Sequence, residues 1–464
     1  MTEIHELSLS ELAAQLHARK ESPVAVTEAM LKRIEALDGQ LHAFVHVMHE
    51  VALAQAREAE AELARGKVRS RVHGVPLGLK DLIATRDAPT RAGTIVLEAW
   101  NPGEDAEVSA RLRAGGGVFL GKLKTTEGAY ATHHPRVVAP LNPWGRELWT
   151  GVSSSGSGVA TAARLCMGTL GSDTGGSIRF PSTACGVTGL KPTWGRVSRR
   201  GVFPLADSLD HIGPIVRSAE DAAAMLGVIA GYDPRDPTSL DAPVPDYVGE
   251  LAGGVRGLRV GFDEAYCSED LAAPVAGALA SAREILREAG AEIRSIRVPP
   301  RREISGHWAV LCAAESALAH AATYPSRKSE YGPGLSGLLE IGHQASARDY
   351  ARGHLARLAF SGELARVFDE VDLFLSPTWK WTSRTLTEID HALGSDVSDL
   401  IAFTAPYDAS GSPTLSLPGG FDERGAPFGF QLVGRHLAES ELLRAGHVVQ
   451  QHTDWHRRSP GGVR

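Results

Sequence analysis

Apolar positions in the first 66 residues recur at helical spacing. Val26, Met30, Ile34 and Leu37 follow Ser22 and Pro23, an N-cap with proline at the first helical position, so a helix is predicted from Pro23 onward. Residues 50–65, rich in Ala and Glu and closed by Gly66, predict a second helix. Beyond them the pattern changes. Short apolar runs bounded by Gly or Pro, at residues 72–79, 118–120, 258–262, 293–298, 373–375, 414–417 and 428–433, alternate with helical patterns. That alternation predicts an α/β protein with a substantially parallel sheet.

Length alone, 464 residues at about 150 per domain, suggests three domains. Yet segments that look cooperative sit at both Lys80 and Ser177, and a sheet-like segment returns near Pro413 with no linker before it. One domain over residues 1–464 is predicted, with 1–66 as an N-terminal helical segment and 231–254, rich in Pro and Asp, as a surface loop.

Charge narrows the function classes. Lys and Arg number 48 against 55 Asp and Glu, a net charge of −7 with both signs spread along the chain. There is no basic stripe for nucleic acid or for an anionic membrane surface. The longest apolar stretches, such as 222–230, fall short of the ~18 residues of a membrane helix, and Glu3, Glu6 and Glu11 stand where a signal peptide is apolar. A cytoplasmic protein is expected. Cys166, Cys185, Cys267 and Cys312 lie far apart without a CxxC pair, so they read as small buried side chains rather than as a disulfide framework or zinc ligands.

Three motifs fail inspection. Residues 116–122 (GGVFLGK) approach a phosphate loop, but Leu123 stands where Ser or Thr must reach magnesium, which leaves a buried strand after a Gly-rich turn. His133 and His134 are adjacent, point apart and have no HExxH partner, so no metal is expected. Ser153 lacks the second glycine of a GxSxG elbow.

Two Gly/Ser segments remain, residues 150–158 (TGVSSSGSG) and 171–181 (GSDTGGSIRFP), bracketing an apolar, Ala-rich stretch at 159–168 that suits a buried helix. Flexible linkers do not enclose core helices. In Thr174-Gly175-Gly176-Ser177 small residues let successive N–H groups converge on one point, the geometry that stabilises an oxyanion, with the Ser177 hydroxyl beside it. A serine needs a base. Lys80, at the end of an apolar strand, is a candidate because burial disfavours its charged form; its ordinary alternative is an ion pair with Asp81.

Lys80, the run from Gly151 to Gly158, and Asp173-Thr174-Gly175-Gly176-Ser177-Ile178-Arg179 closely resemble the amidase signature family of serine hydrolases, whose two catalytic serines are 24 residues apart, as are Ser153 and Ser177 (177 − 153 = 24). The resemblance spans nearly the whole chain and weakens between about 255 and 395, where substrate pockets of the family diverge. It implies an amidase signature fold with a central mixed, largely parallel sheet flanked by helices. It further implies Ser177 as nucleophile, Ser153 as bridging serine, Lys80 as base and Thr174, Gly175 and Gly176 as oxyanion-hole positions. Asp173 and Arg179 are assigned to holding the turn. Val152 and Ser155 depart from the pattern, since the family usually has Gly at both places.

The implied activity is hydrolysis of a carboxylic amide, with aryl acylamides, carbamates and esters open within the same mechanism. The alternative is the glutaminase subunit of a tRNA-dependent amidotransferase. The acidic residue with which that subunit holds glutamine falls on Ile401 here, which favours the free amidase. Tyr130 and Ser154 are candidate substrate contacts, and Trp308, Trp379 and Trp381 are candidates for an aromatic pocket. A small-molecule amide is the implied partner; no cofactor or metal is implied, and a homodimer is left open.

Overall fold

The computed structural model describes residues 3–97, 100, 102–395 and 397–463. In chain order its strands are β1 (Phe44–Val47), β2 (Pro76–Lys80), β3 (Val118–Leu123), β4 (Gly168–Asp173), β5 (Thr188–Lys191), β6 (His211–Val216), β7 (Arg259–Phe262), β8 (Glu292–Ser295), β9 (Leu373–Pro377), β10 (Thr414–Phe421) and β11 (Pro427–Gly434). They form one sheet in the order β1-β3-β2-β4-β6-β5-β10-β11-β9-β7-β8, flanked by helices. Strands β2 to β6 are buried along their whole length, while the edge strands β1 and β8 are partly exposed. Burial of both faces explains why the visible central strands read as unbroken apolar runs rather than as alternation.

The sheet is mixed, as expected, but not largely parallel. Only β2–β3, β2–β4, β7–β9 and β7–β8 pair in parallel; the other neighbours are antiparallel. The reason is connectivity. The chain passes from β5 to β6 and from β10 to β11 without a crossover helix, and such connections join antiparallel strands.

The N-terminal helices form as patterned. Ser22 Oγ accepts the Ala25 N–H at 3.1 Å and caps the helix Pro23–Leu41; the next helix is His49–Ala64. The core helix expected at 159–168 instead spans Ser155–Ala162, because Arg164 takes a left-handed φ of 58° and turns the chain into β4. Strands β1, β4, β5 and β6 are not apparent from the pattern: β1 is only four residues long and is broken by His46, and Gly, Thr, Ser and Pro interrupt the apolar character of the other three. All four cysteines are buried and free. Among the described residues no helix is long and apolar enough to cross a membrane.

Candidate active site

Strands β2 and β4 run parallel with Leu79 opposite Leu170, so Lys80 and the residues closing β4 emerge at the same edge of the sheet. The helix Ser155–Ala162 packs on both strands and brings Ser153, just before it, to that edge. Lys80 Nζ lies 2.6 Å from Ser153 Oγ and 2.8 Å from Ser172 Oγ, and all three side chains are buried. Burial pulls the Lys80 ammonium from its ordinary 10.5 down to about 7, an effect that the charges of Asp173 and Asp210 oppose only in part. Asp81 is not its partner. The Asp81 carboxylate sits 3.2 Å from Lys122 Nζ on β3, which removes the ion-pair explanation for Lys80.

The bond between Val152 and Ser153 is cis. Val152, where the resemblance leads one to expect Gly, is half-buried and lines the site.

The turn carrying Ser177 is organised by Asp173. Its carboxylate accepts the N–H groups of Gly176 at 2.6 Å and Ile178 at 2.9 Å, and Nε and Nη2 of Arg179 at 3.0 and 2.9 Å. Arg179, wholly buried, also donates to Asp408 Oδ2 at 2.5 Å and to the Thr404 carbonyl at 3.0 Å. Two carboxylates thus share one guanidinium. Burial pushes Asp408 up, while Arg179 holds Asp173 well below the carboxylate range against the opposing effect of its own burial.

The first half of the turn is fixed from outside. Thr174 Oγ1 donates to Asp210 Oδ1 at 2.6 Å, and burial raises Asp210 to about 6. Trp308 Nε1 donates to the Thr174 carbonyl at 2.6 Å, and its ring covers Gly175 so closely that a Cβ there would lie 2.5 Å from Cζ2. Gly176 has φ 134°, a conformation L side chains rarely adopt.

Ser177 opens onto a cavity of about 50 Å³ lined also by Thr174, Gly175, Tyr130, Val152, Phe180, Trp308 and Ile401. Of the residues singled out from the sequence, Lys80 and Ser153 are in contact, and Ser177, Thr174, Gly175 and Tyr130 meet at the cavity. Among the described residues no hydrogen bond joins the Ser153 and Ser177 hydroxyls; the Ser154 N–H donates to the Ser177 carbonyl at 3.3 Å.

Three expectations are corrected. Gly176 does not line the cavity, because its N–H is engaged by Asp173 inside the turn. Ser154 is no substrate contact: it is fully buried, its hydroxyl donates to the Ser172 carbonyl at 3.2 Å and accepts the Ser172 N–H at 3.3 Å, and it serves to dock the serine run on β4. Trp379 stacks behind Phe180 at 5.9 Å and Trp381 lies against Lys380 and Arg384, so of the three tryptophans only Trp308 reaches the cavity.

Sequence reasoning missed Ser172, Phe180, Leu205, Val397 and Leu400. Ser172 and Phe180 had a visible signal as members of the second Gly/Ser segment, Ser172 as the hydroxyl preceding Asp173; Leu205, Val397 and Leu400 had none.

The sequence profile of the family Amidase matches residues 25–443. The chain is 48% identical over 463 residues to the candidate amidase AmiD of Mycobacterium tuberculosis, covering 98% of this chain and 96% of that protein. It is 38% identical over 487 residues to a glutamyl-tRNA(Gln) amidotransferase subunit of Chloroflexus aggregans, covering 99% of each. Among solved structures, the native peptide amidase of Stenotrophomonas maltophilia superposes with a TM-score of 0.84 at 29% identity, covering 98% of both chains. Matched over nearly its full length, the chain belongs to the amidase family and is a hydrolase acting on amide bonds.

Proposed function

We propose that hydrolysis runs through an acyl-enzyme on Ser177, with Lys80 as base and Ser153 as the bridge. The observation that carries this reading is the wholly buried 2.6 Å contact of Lys80 Nζ with Ser153 Oγ, behind a serine that opens on a cavity. In its neutral form Lys80 takes the Ser153 proton while its own N–H donates to Ser172 Oγ. Ser153 takes the proton of Ser177, whose Oγ attacks the amide carbon. The carbonyl π pair moves to oxygen, where the N–H groups of Thr174, Gly175 and Ser177 are its donors; losing one such donor typically costs about 2.7–4 kcal/mol of transition-state stabilisation.

The relay then delivers a proton to the amide nitrogen, the C–N bond breaks and the amine departs. Water, deprotonated through the same relay, attacks the acyl-enzyme and releases the acid and free Ser177. Tight spacing between Ser153 and Ser177 is needed only in the substrate complex, and catalytic hydrogen bonds often shorten there.

One domain over residues 1–464 supports this chemistry, in keeping with a single sheet whose strands run from residue 44 to 434. The substrate is a small-molecule amide. A cytoplasmic location accords with four buried free cysteines. A second reading, the glutaminase subunit of an amidotransferase, is favoured by the 38% identity to such subunits. It is opposed by Ile401, an apolar side chain on the cavity wall where an ammonium group would need a carboxylate. The test is the alanine series at Lys80, Ser153 and Ser177, assayed for amine release from a panel of amides. Each member should lose several orders of magnitude, because relay members act as a unit, and undiminished turnover by Ser177→Ala would remove the assignment.

A further inference from the structure

We infer that the cavity beside Ser177 is an acyl pocket for short, uncharged alkyl carboxamides and that it rejects amides carrying ammonium or carboxylate groups, glutamine among them. The inference rests on the reading of Ser177 as nucleophile.

The cavity has two ends. At one, Phe180, Leu205, Trp308, Leu400 and Ile401 are each at most 6% exposed. At the other, Tyr130, Ala131, Val152 and Val397 are only half-buried and form the rim. In an acyl-enzyme route the amine must leave while the acyl group is still bonded to Ser177. The rim is its exit, so the buried end holds the part that stays. That end accepts apolar groups alone. No residue lining the cavity carries a charge; Thr174 Oγ1 is engaged by Asp210 and Trp308 Nε1 by the Thr174 carbonyl, which leaves the Tyr130 hydroxyl at the rim and the Ser177 hydroxyl as the polar side-chain groups facing a substrate. A charged acyl substituent would lose its water and find no counter-ion.

Size sets the second limit. An apolar cavity of roughly 150 Å³ is what benzene fills in a protein interior. Here the volume is about 50 Å³, which suits a few methylenes rather than a ring.

Butyramide and glutamine make a matched pair, since glutamine is butyramide bearing an ammonium and a carboxylate on its terminal carbon. Two readouts separate the pocket from the chemistry: kcat/KM of the wild-type protein, and calorimetric binding to Ser177→Ala. Butyramide should exceed glutamine by about 100-fold in kcat/KM and bind about tenfold tighter or better, with benzamide below butyramide by about tenfold. Glutamine equal to or better than butyramide in either readout overturns the inference. Selective butyramide binding without turnover of any amide supports the pocket and instead removes the catalytic reading. Ile401→Asp should lower butyramide kcat/KM about tenfold or more while Ile401→Val stays near wild type; an unaffected Ile401→Asp protein contradicts the placement of the acyl group.

Discussion

In the proposed relay Lys80 accepts a proton, which requires its neutral form, and burial shifts it toward that form. With its folded value near 7 against an ordinary 10.5, the folded protein binds fewer protons than the unfolded chain between those limits. The cost of burying the ammonium is therefore fully present below about pH 7, shrinks as pH climbs and vanishes near the unfolded value; it amounts to roughly 3–5 kcal/mol. Two outcomes follow. The kcat/KM profile should show an acidic limb with a midpoint near 7, activity rising with pH, and a limb centred near 4 would assign the base to a carboxylate instead. Lys80→Met should abolish turnover while chemical denaturation at neutral pH finds stability unchanged or higher; a strongly destabilised but active variant would make Lys80 a structural ion-pair partner. At this scale the chain was partly legible. The spacing of Ser153 and Ser177 and the apolar strand before Lys80 are sequence features, whereas the exchange of Asp81 for Ser172 as neighbour depends on which strand lies alongside. Ser154 misled because neighbours in a serine run point in different directions, and its hydroxyl meets β4 instead of the cavity.

The turn from Asp173 to Arg179 is a rigid element held from three sides: by its own Asp173, by Asp408 through Arg179, and by Trp308 from the helix Arg301–Ala319. In the proposed mechanism this rigidity keeps the oxyanion donors in place before charge develops, so changes that loosen it should act on the chemical step. Gly175→Ala forces a methyl group against the Trp308 ring, 2.5 Å from Cζ2, and should cost about 1–3 kcal/mol of stability with a larger fractional fall in kcat than in substrate affinity. Parallel urea titration and steady-state kinetics check both; an unaltered kcat would mean the donors tolerate displacement. Asp173→Asn removes one of the two carboxylates facing buried Arg179, leaving Asp408, and should destabilise by about 1.5–3 kcal/mol, read from the urea midpoint. The glycines of this turn were conspicuous in the sequence. The strand preceding it was not, because β4 is built from Gly, Thr, Leu, Ser and Asp and owes its extended form to β2 and β6 on either side.

Across the whole molecule, one sheet joins residues far apart in the chain. Lys80 and Ser153 are 73 positions apart, and Ile401 reaches the cavity from beyond the 255–395 stretch where the family resemblance is weak; among the described residues of that stretch Trp308 alone lines it. A continuous sheet predicts a single calorimetric unfolding transition, and two resolved transitions would contradict the one-domain reading. The same continuity explains why the family resemblance was strong where strands end at the site and weak where helices cover it: backbone geometry at a nucleophile admits few residues, while an apolar wall admits many. The central claim concerns which atom of this assembly becomes acylated. Treating the protein with an organophosphonate or sulfonyl fluoride and mapping the adduct by peptide mass spectrometry addresses it directly. The adduct should lie on Ser177 and its yield should collapse in Lys80→Met; an adduct confined to Ser153 would reverse the two serines and contradict the account.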